Sequence, residues 1–119
     1  MSQRITPPHL NAADLSTHDL CRLYRILDNL EETANMALHY IICLDGGATM
    51  AGAYVDKFQE YLSEERGNII DALRERPNTT DGDGQRRMGT IVQFEAWCQE
   101  FHKSTLDELI TNPLSTEAI

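Results

Sequence analysis

Two pairs of histidine and cysteine residues have the spacing that places metal ligands on one side of a helix. His39 precedes Cys43 by four residues, and Cys98 precedes His102 by four. Two such pairs would form a tetrahedral Cys2His2 zinc site if their helices met at the same level. The pairs are instead offset by about 9 Å when counted from the predicted helix starts. We therefore expect no metal and no other cofactor, and a metal- or ligand-binding sensor is kept as an alternative.

The rest of the chain carries no complete catalytic motif. Cys98 and His102 could serve as a thiolate and its base, but no third group that would orient the base is evident. The acidic loop 81–84 lacks the carboxylates that a calcium-binding loop needs at its first and last positions. Since a glycine-rich phosphate loop and a nucleophile elbow are also missing from the sequence, we expect a non-enzymatic protein.

An acidic cluster on one predicted helix is a candidate partner-binding surface. Asp56, Glu60 and Glu64 follow one another at i,i+4 spacing. Like charges at this spacing destabilise a helix by a few tenths of a kcal/mol per pair, and a basic protein partner would relieve the repulsion. We call these three residues the acidic ridge. The alternative interpretation is a solvated surface that keeps the protein soluble.

Most of the basic residues are predicted to gather at one end of the molecule. This arginine pole contains six of the ten basic residues: Arg22, Arg25, Arg74, Arg76, Arg86 and Arg87. Arginine near a helix start opposes the helix dipole, so helix stability does not explain the group. Guanidinium groups bind carboxylates and phosphates well. The best contact candidates are Arg22, Arg25, Arg86 and Arg87, and local pairing with nearby carboxylates is the alternative.

The apolar pattern predicts the first helix. Apolar residues alternate at steps of three and four, which keeps them on one face of a helix: Leu20, Leu23, Leu27, Leu30, Ala34, Ala37, Ile41 and Leu44. The predicted helix covers 16–44, with the Ser16 hydroxyl capping the amide of Asp19 and the glycines at 46 and 47 ending it.

Two further helices are predicted, over 49–76 and over 85–111. Val55, Phe58, Leu62 and Ile69 supply the buried stripe of the second helix, and Pro77 ends it. The third helix has an apolar face that continues through Phe94, Cys98, Phe101 and Thr105, and Pro113 ends it.

Short connections between these helices favour antiparallel neighbours. The predicted fold is therefore all-α, an antiparallel up-down-up bundle of three long helices. Residues 1–14 are predicted to form a flexible arm, 15–112 the bundle and 113–119 a frayed tail. Apolar residues circle much of the first helix between 36 and 44, so we expect homodimerisation to complete the core.

Composition excludes several classes of function. The chain has 119 residues, enough for one domain, and a net charge of -9, which argues against binding nucleic acid or an anionic membrane. Three cysteines and an N-terminus without a secretory signal favour the cytoplasm. We expect a small adaptor-type protein that binds another protein through a helical face. An acidic inhibitor that mimics nucleic acid is a further alternative.

Overall fold

The fold is all-α, as predicted. A computed structural model describes residues 11–45 and 50–115, and the side chains of 11–39 and 50–115. All regular elements in these ranges are helical: a 3-10 turn at Ala12–Asp14, then α1 (Thr17–Asp45), α2 (Met50–Glu75), α3 (Gly82–Cys98) and α4 (Lys103–Thr111). The predicted cap of the first helix is confirmed, since the Asp19 amide donates to the Ser16 hydroxyl at 3.1 Å.

Helices α1 and α2 form a long antiparallel hairpin. Residues late in α2 contact the start of α1, and residues early in α2 contact the far part of α1. Arg76 lies 3.5 Å from the Thr17 hydroxyl, and Gln59 donates to Asn35 at 3.3 Å. The hairpin is therefore the frame on which the later helices pack.

Helix α3 packs on one half of this hairpin and creates the apolar core there. Seven buried residues from the three helices form the core cluster: Leu20, Cys21, Tyr24, Ile69, Ile70, Leu73 and Ile91. Tyr24 and Phe94 meet edge to face with their ring centroids 6.4 Å apart. Fully burying one large apolar side chain contributes about 1.5–3 kcal/mol, so this cluster dominates the stability of the fold. We call this half of the molecule the base.

The other half of the hairpin extends past α3. Trp97, near the end of α3, lies over Arg66 of α2 at 4.7 Å. The part of the hairpin farther from the base than Arg66 comprises residues 32–45 and 50–61. We call this part the outer hairpin. Within 32–39 and 50–61, only Ala34 and Gly52 are buried.

The prediction of one continuous third helix over 85–111 is wrong. Two helices occupy this part of the chain, since α3 ends at Cys98 and α4 begins at Lys103. Gln99 adopts a left-handed conformation with φ of 59°, and its amide donates to the Ala96 carbonyl at 3.1 Å. The buried Glu95 carboxylate accepts hydrogen bonds from the backbone amide of His102 at 2.8 Å and from the Thr105 hydroxyl at 2.7 Å. These bonds hold the chain in a turn between α3 and α4. The apolar spacing of the sequence continues through this turn and therefore did not indicate it.

Helix α4 returns along α3 towards the start of that helix. Glu108 pairs with Arg87 at 2.9 Å, and beyond α4 the Ser115 amide donates to Gln85 at 2.9 Å. Residues 113–115 of the predicted tail are thus placed beside α3, whereas 116–119 lie outside the described residues.

The 3-10 turn ties part of the predicted arm to the base. Arg76 donates to the carbonyls of Ala12 at 3.2 Å and of Leu15 at 2.6 Å. Ala12 and Leu15 also pack against the core cluster. Residues 1–10 of the arm lie outside the described residues, so its flexibility stays a prediction.

The residues buried between α1 and α2 differ from those that the apolar spacing predicted to be buried. Leu30 and Phe58, both predicted to be buried, are 44% and 46% exposed, whereas Glu31 is only 6% exposed. Glu31 is buried because it forms a close ion pair with Arg66, which lies between Leu62 and Ile69 on the inner face of α2. The apolar pattern alone gave no indication that an ion pair would occupy this part of the interface.

Candidate functional site

The structure divides the predicted arginine pole into two groups. Three of its members, Arg74, Arg76 and Arg87, bond to other parts of the protein. Arg87 is 2% exposed and donates through Nε to the Leu73 carbonyl at 2.6 Å and through a terminal nitrogen to Glu108 at 2.9 Å. It also donates through its other terminal nitrogen to the Arg74 carbonyl at 3.2 Å, in the last turn of α2. Arg87 is thus an interior residue, and its assignment as a partner contact is corrected.

Arg74 and Glu95 form the second interior link. Arg74 contacts the Glu95 carboxylate at 3.2 Å, Asp71 at 3.3 Å and the His102 ring nitrogen Nε2 at 3.4 Å. Burial acts to raise the pKa of Glu95, but the hydrogen bonds from Thr105, from the His102 amide and from Arg74 outweigh it and hold the pKa below its usual range. Glu95 is therefore an ionised structural anchor that joins α2, α3 and α4.

The other three arginines, Arg22, Arg25 and Arg86, line a cleft of about 730 Å³. Arg22 and Arg25 project from α1, and Arg86 projects from the first turns of α3. The cleft also includes residues of the 80–82 segment and of the segment after α4. We call it the arginine cleft. Three separate stretches of the chain build it, so its shape depends on the tertiary structure.

The arginines of the cleft differ in their partners. Arg22 and Arg25 are exposed and make no ion pair with any residue in 11–39 or 50–115. Arg86 pairs with Asp83 at 3.1 Å, and about half of each of these two side chains is exposed. Two of the three guanidinium groups are therefore available to a ligand, and the third has only a surface partner.

Two further polar groups of the cleft, Cys21 and Asp81, have shifted pKa values. Cys21 is 6% exposed. Burial raises its pKa more than the hydrogen bond with Thr90 and the charge of Arg25 lower it, so the thiol stays protonated. Asp81 caps α3, and its pKa is lowered by hydrogen bonds from the Thr79 hydroxyl at 2.7 Å and the Gly84 amide at 2.8 Å. The Cys21 thiol and the Asp81 carboxylate are thus both engaged in contacts within the protein.

The acidic ridge lies on the surface, as its interpretation requires. Asp56, Glu60 and Glu64 are all exposed on α2. Lys57 contacts Glu60 at 3.4 Å, but these two side chains are 81% and 61% exposed. A surface pair of this kind contributes about 1 kcal/mol at most. The ridge therefore keeps most of its negative charge available to solvent or to a partner.

Large apolar side chains form a stripe on the opposite side of the hairpin. Ile26 and Leu30 of α1 are 55% and 44% exposed, and Tyr54 and Phe58 of α2 are 78% and 46% exposed. At 100° per residue, both pairs point away from the side on which α3 contacts the hairpin. We call these four residues the open face. Large apolar side chains that stay exposed on one side of a pair of helices can mark an interaction site.

The candidate metal ligands do not form a cluster in the described parts of the chain. No group of three or more His, Cys, Asp or Glu side chains in 11–39 and 50–115 is placed to hold a metal ion. Cys98 is exposed, and His102 lies beside Arg74. The side chain of Cys43 lies outside the described residues, so its pairing with His39 is not tested.

Sequence reasoning missed the buried charges around Arg66. This residue is 2% exposed and contacts Asp28 at 3.2 Å, the Tyr24 hydroxyl at 3.0 Å and the Trp97 ring at 4.7 Å. The available signal was an arginine at inward helical spacing between Leu62 and Ile69. A charge at such a position requires a buried partner, and this requirement could have identified Glu31.

Comparisons with protein families, with curated proteins and with solved structures found no match for this chain. Among the described helices, none combines the length and the apolar character that a membrane span requires. The candidate functional surfaces of the described residues are the arginine cleft, the acidic ridge and the open face.

Proposed function

We propose that this chain is a non-enzymatic cytoplasmic interaction protein that forms a homodimer through its open face. The acidic ridge then binds a basic surface of another protein. The observation that carries this proposal is the uncovered stripe of Ile26, Leu30, Tyr54 and Phe58 on the α1–α2 hairpin. In this view the antiparallel up-down arrangement of the helices is completed by the hairpin of a second copy.

A second copy is the occupant that fits the open face best. A hairpin of two helices has two broad sides, and α3 covers only one of them, in the base. A second copy related by a two-fold axis would bring its own Ile26, Leu30, Tyr54 and Phe58 against those of the first copy. This is the usual arrangement of homodimers. The resulting four-helix layer resembles the packing of ordinary helical bundles.

The distribution of charge is compatible with association of two acidic chains. Each copy carries a net charge of -9. Asp56 and Glu60 point away from Tyr54 and Phe58 by more than 100° around α2, so pairing of the open faces keeps these two carboxylates of each copy outside the interface. Both ridges then face outwards, where a basic protein surface relieves their repulsion. Such binding weakens as salt rises, because exposed charges are screened.

The test of the dimer is sedimentation equilibrium of the full chain and of two double variants. We expect the wild type to be dimeric at micromolar concentration and Tyr54→Asp/Phe58→Asp to be monomeric, because the new carboxylates would be buried in the interface. The matched control Glu60→Lys/Glu64→Lys changes exposed residues of the same helix and should remain dimeric. A wild type that stays monomeric at every concentration would show that the open face does not bind a second copy.

The variant Glu60→Lys/Glu64→Lys also tests whether the acidic ridge binds a partner. Proteins cross-linked to the wild type in cells are compared with those cross-linked to Glu60→Lys/Glu64→Lys. We expect loss of a basic partner, with the dimer mass unchanged. An identical set of partners would reduce the ridge to a solubility feature.

A further inference from the structure

We propose that the arginine cleft binds the phosphate group of a small phosphorylated organic molecule. This inference goes beyond dimerisation and partner binding, because the cleft lies at the start of α1 and α3 and shares no residue with the ridge or the open face. It assigns to the protein a ligand-responsive site in addition to its proposed interaction surfaces.

The first support is unpaired positive charge in an acidic protein. The chain contains 19 acidic and 10 basic residues. Nevertheless Arg22 and Arg25 make no ion pair with any described residue, although they stand three positions apart on one helix. Arg86 adds a third guanidinium from another helix. Guanidinium groups that approach from two elements suit a phosphate, because each guanidinium can donate two parallel N–H bonds to two of its oxygens.

The second support is that the nearby carboxylates are engaged. Asp81 accepts hydrogen bonds from Thr79 at 2.7 Å and from the Gly84 amide at 2.8 Å, so it is bound within the cap of α3. Asp83 bonds Arg86, but both side chains are half exposed. A pair of this kind contributes about 1 kcal/mol at most, so a phosphate can replace Asp83 at small cost. The start of α3 adds a favourable dipole for an anion.

The third support is the size and lining of the cleft. Its volume of about 730 Å³ is that of a small-molecule site and exceeds the needs of a bare ion. Gln93 supplies an uncharged hydrogen-bonding group, and Val92 and Leu114 supply apolar surface. Gln85 bonds the Ser115 amide at 2.9 Å and so holds the wall formed by the segment after α4. These groups would contact the organic part of the ligand.

The experiment is isothermal titration calorimetry of the full chain with ribose 5-phosphate, at about 50 mM salt so that screening is modest. Ribose is the matched probe without phosphate, and citrate is the carboxylate probe. The cleft variant is Arg22→Gln/Arg25→Gln. The control Lys57→Gln/Lys103→Gln also removes two positive charges, but from exposed positions outside the cleft.

We expect the wild type to bind ribose 5-phosphate but not ribose. The cleft variant should bind at least about tenfold more weakly, whereas the control should stay within about twofold of the wild type. Arg22 and Arg25 are exposed, and unchanged circular dichroism and melting temperature would establish that their replacement leaves the fold intact.

Four results would overturn the proposal. These are no heat of binding up to about 10 mM ribose 5-phosphate, equal binding of ribose, tighter binding of citrate, and equal weakening in the cleft and control variants. The last result would indicate general electrostatic attraction. Sedimentation of the same variants reports the dimer separately, so failure of the cleft proposal is distinguishable from failure of the proposed function.

Discussion

The base and the outer hairpin are built from the same two helices but differ in what covers them. In the base, α3 packs across α1 and α2 and leaves Leu20, Ile69 and Leu73 fully buried. In the outer hairpin no third described helix lies across the pair, and Met36 and Tyr54 are 69% and 78% exposed. The comparison teaches that an amphipathic helix specifies a face to be covered, while the neighbouring elements determine how much of that face is covered.

The two regions also invert the usual placement of polar and apolar residues. The base buries charged side chains, including Arg66, Arg87 and Glu95, and each of them has ionic partners. The outer hairpin exposes aromatic and methionine side chains. Removal of one partner from a buried ion pair is costly, because the other charge is left buried without compensation. Exposed apolar residues instead favour association with another chain.

The largest expected effect comes from Glu95→Ala in the base. The substitution leaves Arg74, the Thr105 hydroxyl and the His102 amide without their shared carboxylate. Breaking a buried ion pair typically costs about 3–5 kcal/mol, so we expect a loss of this size in the free energy of unfolding measured in urea. The exposed control Glu64→Ala should change it by about 0.5 kcal/mol or less. Similar values for the two variants would contradict the anchoring role of Glu95.

The second prediction compares one apolar residue from each region. Leu73→Ala opens a cavity in the base and should lower the free energy of unfolding by about 2–5 kcal/mol. Phe58→Ala on the half-exposed outer hairpin should cost about 1 kcal/mol or less when the protein is dilute enough to be monomeric. Urea titration at low protein concentration gives both values. Equal costs would mean that the outer hairpin is packed as tightly as the base.

The third prediction concerns acid. The pKa of Glu95 is lower in the folded protein than in the unfolded chain, so its stabilising contribution is complete above the unfolded pKa and is lost as the pH falls through the folded pKa. Glu95→Gln cannot titrate. The free energy of unfolding of the wild type should therefore fall more steeply than that of Glu95→Gln below about pH 4.5. Parallel pH profiles would show that other carboxylates dominate acid unfolding.

The fourth prediction separates two glycines of the base, one of which tolerates a side chain and one of which does not. A Cβ at Gly67 would meet no atom within 4 Å, so Gly67→Ala should stabilise α2 by about 0.5–1 kcal/mol. A Cβ at Gly84 would overlap the carbonyl oxygen of Thr79, so Gly84→Ala should destabilise by about 1–3 kcal/mol. Thermal unfolding followed by circular dichroism measures both. A gain at Gly84 would contradict the tight turn before α3.

Much of the fold was predictable because its signals are local. The start of the first helix followed from the capping group of Ser16, and the end of the second followed from Pro77. The break between α3 and α4 was not predictable from spacing. It depends on Glu95, whose carboxylate finds its partners in Thr105 and in Arg74 of a different helix.

The candidate site was predictable only in part. Helical spacing and topology predicted that Arg22, Arg25 and Arg86 share one end of the molecule, and all three line one cleft. The same reasoning placed Arg87 on the surface, whereas it lies in the interior with Glu108. Neighbouring arginines with the same charge thus have different roles, because the 100° turn between consecutive residues points one outward and the next inward.

By itself, the sequence determined the helical class, the cap at Ser16 and the acidic balance of the chain, since periodicity, capping and charge act over a few residues. The tertiary structure alone decided that Arg66 and Glu95 are buried ion-pair centres and that Arg22 and Arg25 face an open cleft. Burial and pairing of a charge depend on groups from distant parts of the chain, and only folding brings those groups together.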